Sequence, residues 1–377
     1  FIEECARQGA RVVLVTAEKF GDRDWPWDAI AVHHNMPDLH TQPNITYAVS
    51  WLARSNDIDR IVALDDYDVA TAASLREHLR LEGLGESTAR RFRDKLAMRV
   101  AAAAAGIRVP AFTGVFNYDR LREYMAAVPP PWVLKPRFEA GAIGIRKLHD
   151  SERVWRTLDE LGDQQSYYLL EQFVPGDVYH VDALVWEGEV VFAVSSRYGE
   201  PPLSVTQGGG IFNTRLLPRG SADFAATTGM AADLFRAFGL PRGVTHTEFI
   251  RAHADGQFYF LETAARVGGA HIDKMVEAAT GVALWQEAAR IELAHARGEA
   301  YRVPDHRADY AGLVICLARD EWPDLSAYND PEVVWRVPRA NHAGLLVASP
   351  DPERVAQLLE QYTERFARDF LAHTPQT

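Results

Sequence analysis

The chain has little cysteine and no long apolar run. Its two cysteines, Cys5 and Cys316, are not in a metal or redox spacing, which argues against a disulfide scaffold and suits a reducing cytoplasm. No apolar stretch reaches the roughly 20 residues of a membrane-spanning helix. The first residues have neither the basic start nor the apolar core of a signal peptide. We therefore expect a cytoplasmic protein with no membrane partner.

Basic residues are outnumbered, with 40 Lys and Arg against 52 Asp and Glu and a formal net charge of −12. This balance disfavours nucleic acid and anionic membranes as partners, although a local basic pocket could bind a small anion. Lysine itself is rare, because arginine is the default cation. A lysine offers a compact point charge rather than a planar fork, so its positions are informative. Lysine occurs only at residues 19, 95, 135, 147 and 274.

The apolar pattern predicts a mixture of α/β and α+β units. Residues 1–85 combine strand-like runs at 11–16 and 60–65 with a helical stretch at 68–81, which is typical of a small doubly wound α/β domain. The chain opens on a helix, whereas such domains usually open on a strand. We expect the first strand, and any glycine turn after it, to be missing from this chain. Three further units are predicted. A small α+β unit with a linking helix covers residues 86–170, a strand-rich unit covers residues 171–304, and an α+β tail covers residues 305–377.

Glu248 and Glu262 lie in the two arms of a hairpin predicted over residues 243–263. Because side chains alternate along a strand, Glu262 is expected to share a face with residues 260 and 264. Two carboxylates that meet across one ladder repel each other unless a cation lies between them. Oxygen ligands favour Mg²⁺. From these two residues alone, a pair of solvated acids is an equal alternative.

Arg266 and the pair Gly268–Gly269 follow this hairpin directly. A guanidinium beside a metal site is a suitable anion ligand. The glycines expose backbone N–H groups ahead of a predicted helix, which also favours an anion. His271 comes next and is the histidine best placed to touch a substrate, although histidines beside strands are more often packed structural residues. Arg215 flanks a second glycine-rich loop and could pair with an anionic substrate.

Lys135 ends a buried strand and precedes a loop over residues 138–144 that contains Gly141 and Gly144. Such a loop can cover phosphates through its backbone amides. It is neither a Walker A loop nor a GxGxxG motif, since no Gly-Lys pair occurs in the chain. Taken alone, this pattern is more often a plain turn.

The order of the motifs is more specific than any one of them. It runs from Asp94-Lys95 at a helix, through Lys135-Pro136 and the glycine loop, to "LLEQFVPG" at 169–176, "HTEF" at 246–249 and "LETAARVGG" at 261–269. This series resembles the ATP-grasp superfamily of carboxylate ligases over roughly residues 1–300. Within it, the chain resembles the amino-acid ligase and carbamoyl-phosphate-synthase-like group. The resemblance implies two α+β subdomains that clamp ATP behind the N-terminal α/β domain.

The resemblance also implies roles for the matching residues. Those implied to bind ATP are Lys95, Lys135, Gly141, Gly144, Glu171, Phe173 and Val174, of which the last three form a hinge at the adenine edge. Glu248 and Glu262 are implied to hold Mg²⁺, with Mn²⁺ as an alternative. Arg266 and Lys135 are implied to act on the transferred phosphoryl group, and Gly268 and Gly269 to lie against the substrate carboxylate.

Two positions depart from the family pattern. The Asn usually found two residues after the second metal Glu is Ala264 here, which removes an oxygen ligand. Water can replace a neutral ligand, because Mg²⁺ keeps several waters. The Glu usually found at the ribose is also absent, since Gly176 is followed by Asp177 and Val178. Asp177 or Asp182 is the candidate replacement.

The implied reaction joins a small carboxylic acid, a class that includes amino acids, to an amine through an acyl phosphate, releasing ADP and phosphate. Two other classes stay open. One is an ATP-binding regulatory or scaffold module of the same fold without turnover, marked by Ala264. The other is an NAD(P)-dependent oxidoreductase, which rests only on the N-terminal unit and lacks the expected glycine fingerprint. A homodimer is compatible with this fold.

Overall fold

A computed structural model of the chain describes residues 1–372. Its strands form a two-stranded parallel sheet, a four-stranded antiparallel sheet and an eight-stranded antiparallel sheet. These sheets belong, in chain order, to an N-terminal α/β unit, a small subdomain and a large subdomain. The predicted fold class is confirmed. No helix within this part of the chain combines the length and the apolar character needed to cross a membrane.

The strands of the N-terminal unit differ from those that its apolar pattern predicts. Its strands are β1 (Val13–Ala17) and β2 (Val32–Met36), and its helices are α1 (Ile2–Arg7), α2 (Asn44–Leu52), α3 (Val69–Leu79) and α4 (Glu86–Arg90). The strand predicted at 60–65 was wrong, because within residues 1–372 this segment pairs with no strand. An apolar run predicts burial, whereas a strand also needs a neighbouring ladder of hydrogen bonds. The carbonyl of Ile61 instead accepts a hydrogen bond from the Arg76 guanidinium at 2.7 Å.

The small subdomain follows the linking helix α5 (Lys95–Ala104) and orders its strands β3-β6-β4-β5. Its elements are β3 (Phe112–Gly114), α6 (Tyr118–Ala127), β4 (Trp132–Pro136), β5 (Arg146–Leu148), α7 (Ser151–Leu161) and β6 (Tyr168–Gln172). The two helices and the sheet share a core that includes Leu121, Leu134, Val154 and Leu170. Asp94 caps α5 by accepting the N–H of Leu96 at 3.0 Å, so Lys95 opens the helix.

The large subdomain is built on one sheet ordered β11-β10-β7-β8-β9-β12-β14-β13. Its strands are β7 (Gly176–Trp186), β8 (Glu189–Tyr198), β9 (Phe212–Leu216), β10 (Gly243–Ala252), β11 (Phe258–Ala264), β12 (Tyr310–Leu317), β13 (Val333–Arg336) and β14 (His342–Ser349). Its helices are α8 (Pro202–Gly208), α9 (Ala222–Phe238), α10 (Ile272–Thr280), α11 (Leu284–Ala296) and α12 (Pro352–Asp369). Because β9 pairs with β12, the segment after residue 305 extends this sheet.

Candidate active site

A β-bulge decides which way the two acidic residues of the β10–β11 hairpin face. Glu248 is the cross-strand partner of Glu262, but the next pair is Phe249 with Phe260, which leaves Leu261 without a partner. The bulge turns Phe260 into the core against Phe249, with ring centroids 6.2 Å apart. Strict alternation therefore gave the wrong face for residue 260. The bulge reorients the chain and directs the Glu262 carboxylate to the same face as Glu248.

Lys95 links the Glu262 carboxylate to the glycine-bearing loop of the small subdomain. The Nζ atom of Lys95 lies 2.9 Å from Oε2 of Glu262 and donates to the backbone carbonyl of Glu139 at 2.6 Å. Enclosure alone would raise the pKa of Glu262, but the ammonium of Lys95 lowers it to about 2. Glu262 is therefore ionised at neutral pH. Its side chain is 32% exposed and that of Glu248 is 16% exposed, so both face open space.

Lys135 lies in a buried ion-pair triad. Its Nζ pairs with Oε1 of Glu171 on the neighbouring strand β6, and Nε of Arg99 donates to Oε2 of the same carboxylate at 2.9 Å. Arg99 and Glu171 are essentially inaccessible to solvent. Burial would raise the pKa of Glu171, but the charges of Arg99 and Lys135 hold it below its usual value. The side chain of Glu171 thus fixes Lys135, a role separate from the predicted hinge.

The predicted hinge joins the two sheets, since β6 ends at Gln172 and β7 begins at Gly176. The N–H of Phe173 donates to the carbonyl of Pro131 at 3.1 Å, whereas no backbone acceptor within residues 1–372 receives the N–H of Val174. Lys147 lies 3.6 Å from the ring centroid of Phe173. Val174 packs in a small apolar cluster with Val178, Ile250 and Leu261. A free N–H beside an apolar surface is what a planar base needs.

The Arg266 guanidinium contacts the N-terminal unit. Its Nε and Nη2 atoms donate to Oδ2 of Asp66 at 2.8 and 2.5 Å. Burial would lower the pKa of Arg266, but the charge of Asp66 raises it. Arg266 is therefore fully charged and held at the interface of two structural units.

A buried polar network lies behind Glu248. Asp182 accepts from Nδ1 of His180 at 2.7 Å and from Nδ1 of His246 at 2.9 Å. Burial would lower the pKa of His246, but Asp182 raises it to about 10. Tyr198 completes the network, because its hydroxyl donates to Oε1 of Glu248 at 2.9 Å. The network thus holds Glu248 from the side away from Glu262.

Position 268 requires glycine because the backbone there passes close to buried side chains. A Cβ atom at this position would lie 2.8 Å from Oδ1 of Asp182 and 2.9 Å from Nδ1 of His246, which is too near for any side chain. Gly269 has open space around it instead. The first glycine therefore lets the chain pass over the buried network, and the second leaves room for a ligand.

Three predicted residues are not brought to this cluster. Asp177 pairs with Arg197 at 3.0 Å, while His180 on the same strand faces the cluster by alternation. Arg215 is the cross-strand partner of Arg197, and its neighbour in sequence, Thr214, contacts His180 instead. His271 packs against Trp335, with ring centroids 5.1 Å apart.

Sequence reasoning missed three residues that touch the predicted ones, namely Arg99, Asp66 and Tyr198. Arg99 follows Lys95 by one helical turn of α5, and this spacing could have found it. Asp182 was predicted only as a candidate ribose ligand, whereas in the structure its carboxylate accepts hydrogen bonds from His180 and His246. Asp66 and Tyr198 come from distant segments, and no local pattern points from them to Arg266 or Glu248.

Comparison with known proteins gives curated relatives, most of which are named ligases. No protein-family model matches the chain. An L-arginine-specific L-amino acid ligase of Bacillus subtilis is 27% identical over 241 residues, which cover 62% of this chain and 58% of that protein. The chain thus spans about half the length of the curated relatives it matches.

Solved structures match over nearly the whole chain. An L-amino acid ligase from Bacillus licheniformis has a TM-score of 0.75 at 17% identity and is covered to 95%, with 99% of this chain aligned. An N5-carboxyaminoimidazole synthetase from Staphylococcus aureus, solved with ADP, has a TM-score of 0.71 at 14% identity, with 96% and 92% covered. These likenesses confirm the fold that the ordered motifs predict. The sequence relatives and the solved structures are both similar to this chain in the way that the resemblance to ATP-grasp carboxylate–amine ligases implies.

Proposed function

We propose that the protein joins a small carboxylic acid to an amine at the expense of ATP, releasing ADP and phosphate. The observation that carries this proposal is the double contact of Lys95. Its ammonium touches the Glu262 carboxylate of the large subdomain and the glycine-bearing loop of the small subdomain. A cation shared by these two parts lies where the phosphates of a clamped nucleotide would need it.

The two carboxylates fit a hard divalent cation. Glu248 and Glu262 face each other on one rung and are partly exposed, and carboxylate oxygens suit Mg²⁺ or Mn²⁺. At Ala264 the chain offers no side-chain oxygen, so water would complete the coordination. When bound, the cation supplies charge neutralisation at the phosphates.

The chain's own residues supply positioning and charge. Lys95 and Lys135 would exchange their present carboxylate partners for phosphate oxygens, and Val174 would donate its N–H to the base. The substrate carboxylate would attack the γ-phosphorus, forming a new O–P bond as the bond to ADP breaks. The amine would then attack the acyl carbon, losing a proton as the C–N bond forms and phosphate leaves. Arg266 would stabilise the transferred phosphoryl group, and the loop at 138–144 would exclude water.

Amino acids are the substrate class that the relatives favour. One relative is named an L-arginine-specific L-amino acid ligase and another an alanine–anticapsin ligase. The open space beside Gly269 and the charged Arg266 are compatible with a small carboxylate. A homodimer and a cytoplasmic location are further predictions, which sedimentation and cell fractionation would test.

We expect ADP release from Mg-ATP to depend on added substrates. The measurement is ADP formation by the purified protein with and without pooled amino acids and small carboxylic acids. Release that requires a pool supports the ligase, and omission of single members then identifies the acid and the amine. A lack of release from every pool would contradict the proposal.

An ATP-binding module without turnover is the second candidate, and Ala264 is the observation that favours it. The two candidates differ in one outcome, because both bind Mg-ATP but only the ligase consumes it. Calorimetric titration with Mg-ATP beside the release assay separates them. Binding without release would favour the module.

Tyr198→Phe is expected to raise the Mg²⁺ concentration that ADP formation requires. The substitution removes the hydroxyl that holds Glu248 at 2.9 Å, and loss of such a supporting hydrogen bond lowers metal affinity by about 10–100-fold. The measurement is the Mg²⁺ concentration that gives half-maximal ADP formation. Tyr328→Phe is the matched control, because Tyr328 is also buried and donates to a carboxylate, Asp369, at 2.8 Å. An equal Mg²⁺ requirement in both variants would contradict the role of Tyr198 in holding Glu248 at the metal site.

A further inference from the structure

The N-terminal unit contacts Arg266 of the candidate active site through the carboxylate of Asp66. Asp66 is only 10% exposed at its side chain and accepts two hydrogen bonds from Arg266, at 2.8 and 2.5 Å. The two residues are 200 positions apart in sequence. A charge-assisted contact of this kind holds a guanidinium in a defined plane.

The contact leaves Arg266 able to bind an anion. A guanidinium has five N–H groups. Asp66 receives one from Nε and one from Nη2, and the carbonyl of Val267 receives one from Nη1 at 2.8 Å. One N–H on each Nη atom remains, on the edge that faces away from Asp66. The Arg266 side chain as a whole is 20% exposed.

The acids around Arg266 explain why it needs a fixed partner. The charges of Glu262 and Asp182 both act on the guanidinium and favour its charged form. Glu262 is a proposed metal ligand, and Asp182 holds the histidine pair. Without Asp66, the guanidinium would be drawn toward these two carboxylates and away from an incoming anion.

The loop that carries Asp66 also contacts the glycine-bearing loop of the small subdomain. The hydroxyl of Tyr67 donates to the Glu139 carboxylate of the glycine-bearing loop at 3.1 Å. Asp65 stiffens the turn by accepting the N–H groups of Tyr67 and Asp68 at 2.8 and 3.0 Å. Adjacent residues of one short loop therefore contact Arg266 in the large subdomain and the loop that would cover the phosphates.

We propose that Asp66 is a positioning residue of the active site, which orients the free edge of Arg266 toward the transferred phosphoryl group. The N-terminal unit is then part of the catalytic machinery. This inference rests on the proposed function, because it assigns Arg266 an anion in that reaction. Asp66 itself touches no reacting atom and acts through Arg266.

The test is a double-mutant cycle with the variants Asp66→Asn, Arg266→Met and both together. The probe is the non-hydrolysable analogue AMP-PNP with Mg²⁺, bound in a calorimeter, so the readout needs no turnover. Each single variant is expected to weaken binding by about 10-fold, as loss of a charged hydrogen bond does. The double variant is expected to bind AMP-PNP no more weakly than Arg266→Met alone. Asp59→Asn, an exposed acid of the same unit, is the control.

Kinetics and folding complete the test. In the substrate pool that supports turnover, Asp66→Asn is expected to lower kcat by about 10–100-fold, whereas Asp66→Glu, which keeps the charge, recovers most of it. Urea unfolding checks that each variant folds. Wild-type affinity and kcat in Asp66→Asn, or an equal further loss on the Arg266→Met background, would overturn the inference. If the wild type releases no ADP while the binding cycle behaves as described, the proposed function fails and the positioning role stands.

Discussion

Replacing Glu262 with glutamine is expected to abolish ADP formation, by about 10³-fold or more, while the fold survives. The substitution keeps the shape of the side chain and removes its charge. It deprives the proposed metal site of one of two carboxylates, and it leaves the Lys95 ammonium, now 2.9 Å from Oε2, without its counter-ion. The measurement is ADP release in the pool that supports wild-type turnover, with urea unfolding to establish that the variant is folded.

The control for this prediction is Glu189→Gln. Glu189 is an exposed acid at the start of β8, and within residues 1–372 it forms no ion pair. Loss of its charge changes the net charge by the same amount without touching the site, so turnover should be unaffected. Normal turnover in Glu262→Gln would remove Glu262 from the metal site and the ligase mechanism with it.

The order of motifs predicted the fold better than the strand pattern did. Few architectures share the order in which Lys95, Lys135, Glu248 and Glu262 occur along the chain. The prediction of a fold with two subdomains followed from this order. The run at 60–65 has the composition of a buried strand, but no strand within residues 1–372 pairs with it. Composition indicates only a tendency to be buried, and here Val62 is 39% exposed; pairing depends on segments elsewhere in the chain.

The orientation of side chains was the weaker part of the prediction. Glu262 faces Glu248 because a bulge at Leu261 interrupts the alternation, and an apolar residue in a strand gives no sign of a bulge. Asp177 was chosen for its place after the hinge glycine, yet it pairs with Arg197. Side-chain alternation assigns such faces only when the register is known.

Contacts between structural units were beyond prediction. The pairing of Arg266 with Asp66 depends on how the N-terminal unit docks, and nothing near either residue encodes it. The Arg99–Glu171 pair crosses from the linking helix to β6 in the same way. Local patterns identified which charges are unusual, and tertiary structure determined their partners.

Glu171→Gln is expected to lower the free energy of unfolding by about 3–5 kcal/mol, because breaking a buried ion pair leaves an uncompensated charge. Arg99 is fully buried, the Lys135 side chain is 13% exposed, and both cations pair with this one carboxylate. Urea denaturation of the wild type and the variant measures the difference. Glu160→Gln is the matched control, since Glu160 pairs with Arg146 at 3.0 Å on the surface of the same subdomain, where the loss should stay below about 1 kcal/mol.

Comparison with Lys135→Met separates the structural role of this triad from its role in binding. That variant leaves Arg99 paired with Glu171, so it should lose less stability than Glu171→Gln while losing affinity for Mg-ATP. Equal midpoints of urea unfolding for Glu171→Gln and the wild type would contradict a stabilising role of the buried triad. If Glu171→Gln were destabilised but bound Mg-ATP normally, the triad would serve folding alone, and Lys135 would reach the phosphates without help from its carboxylate partner.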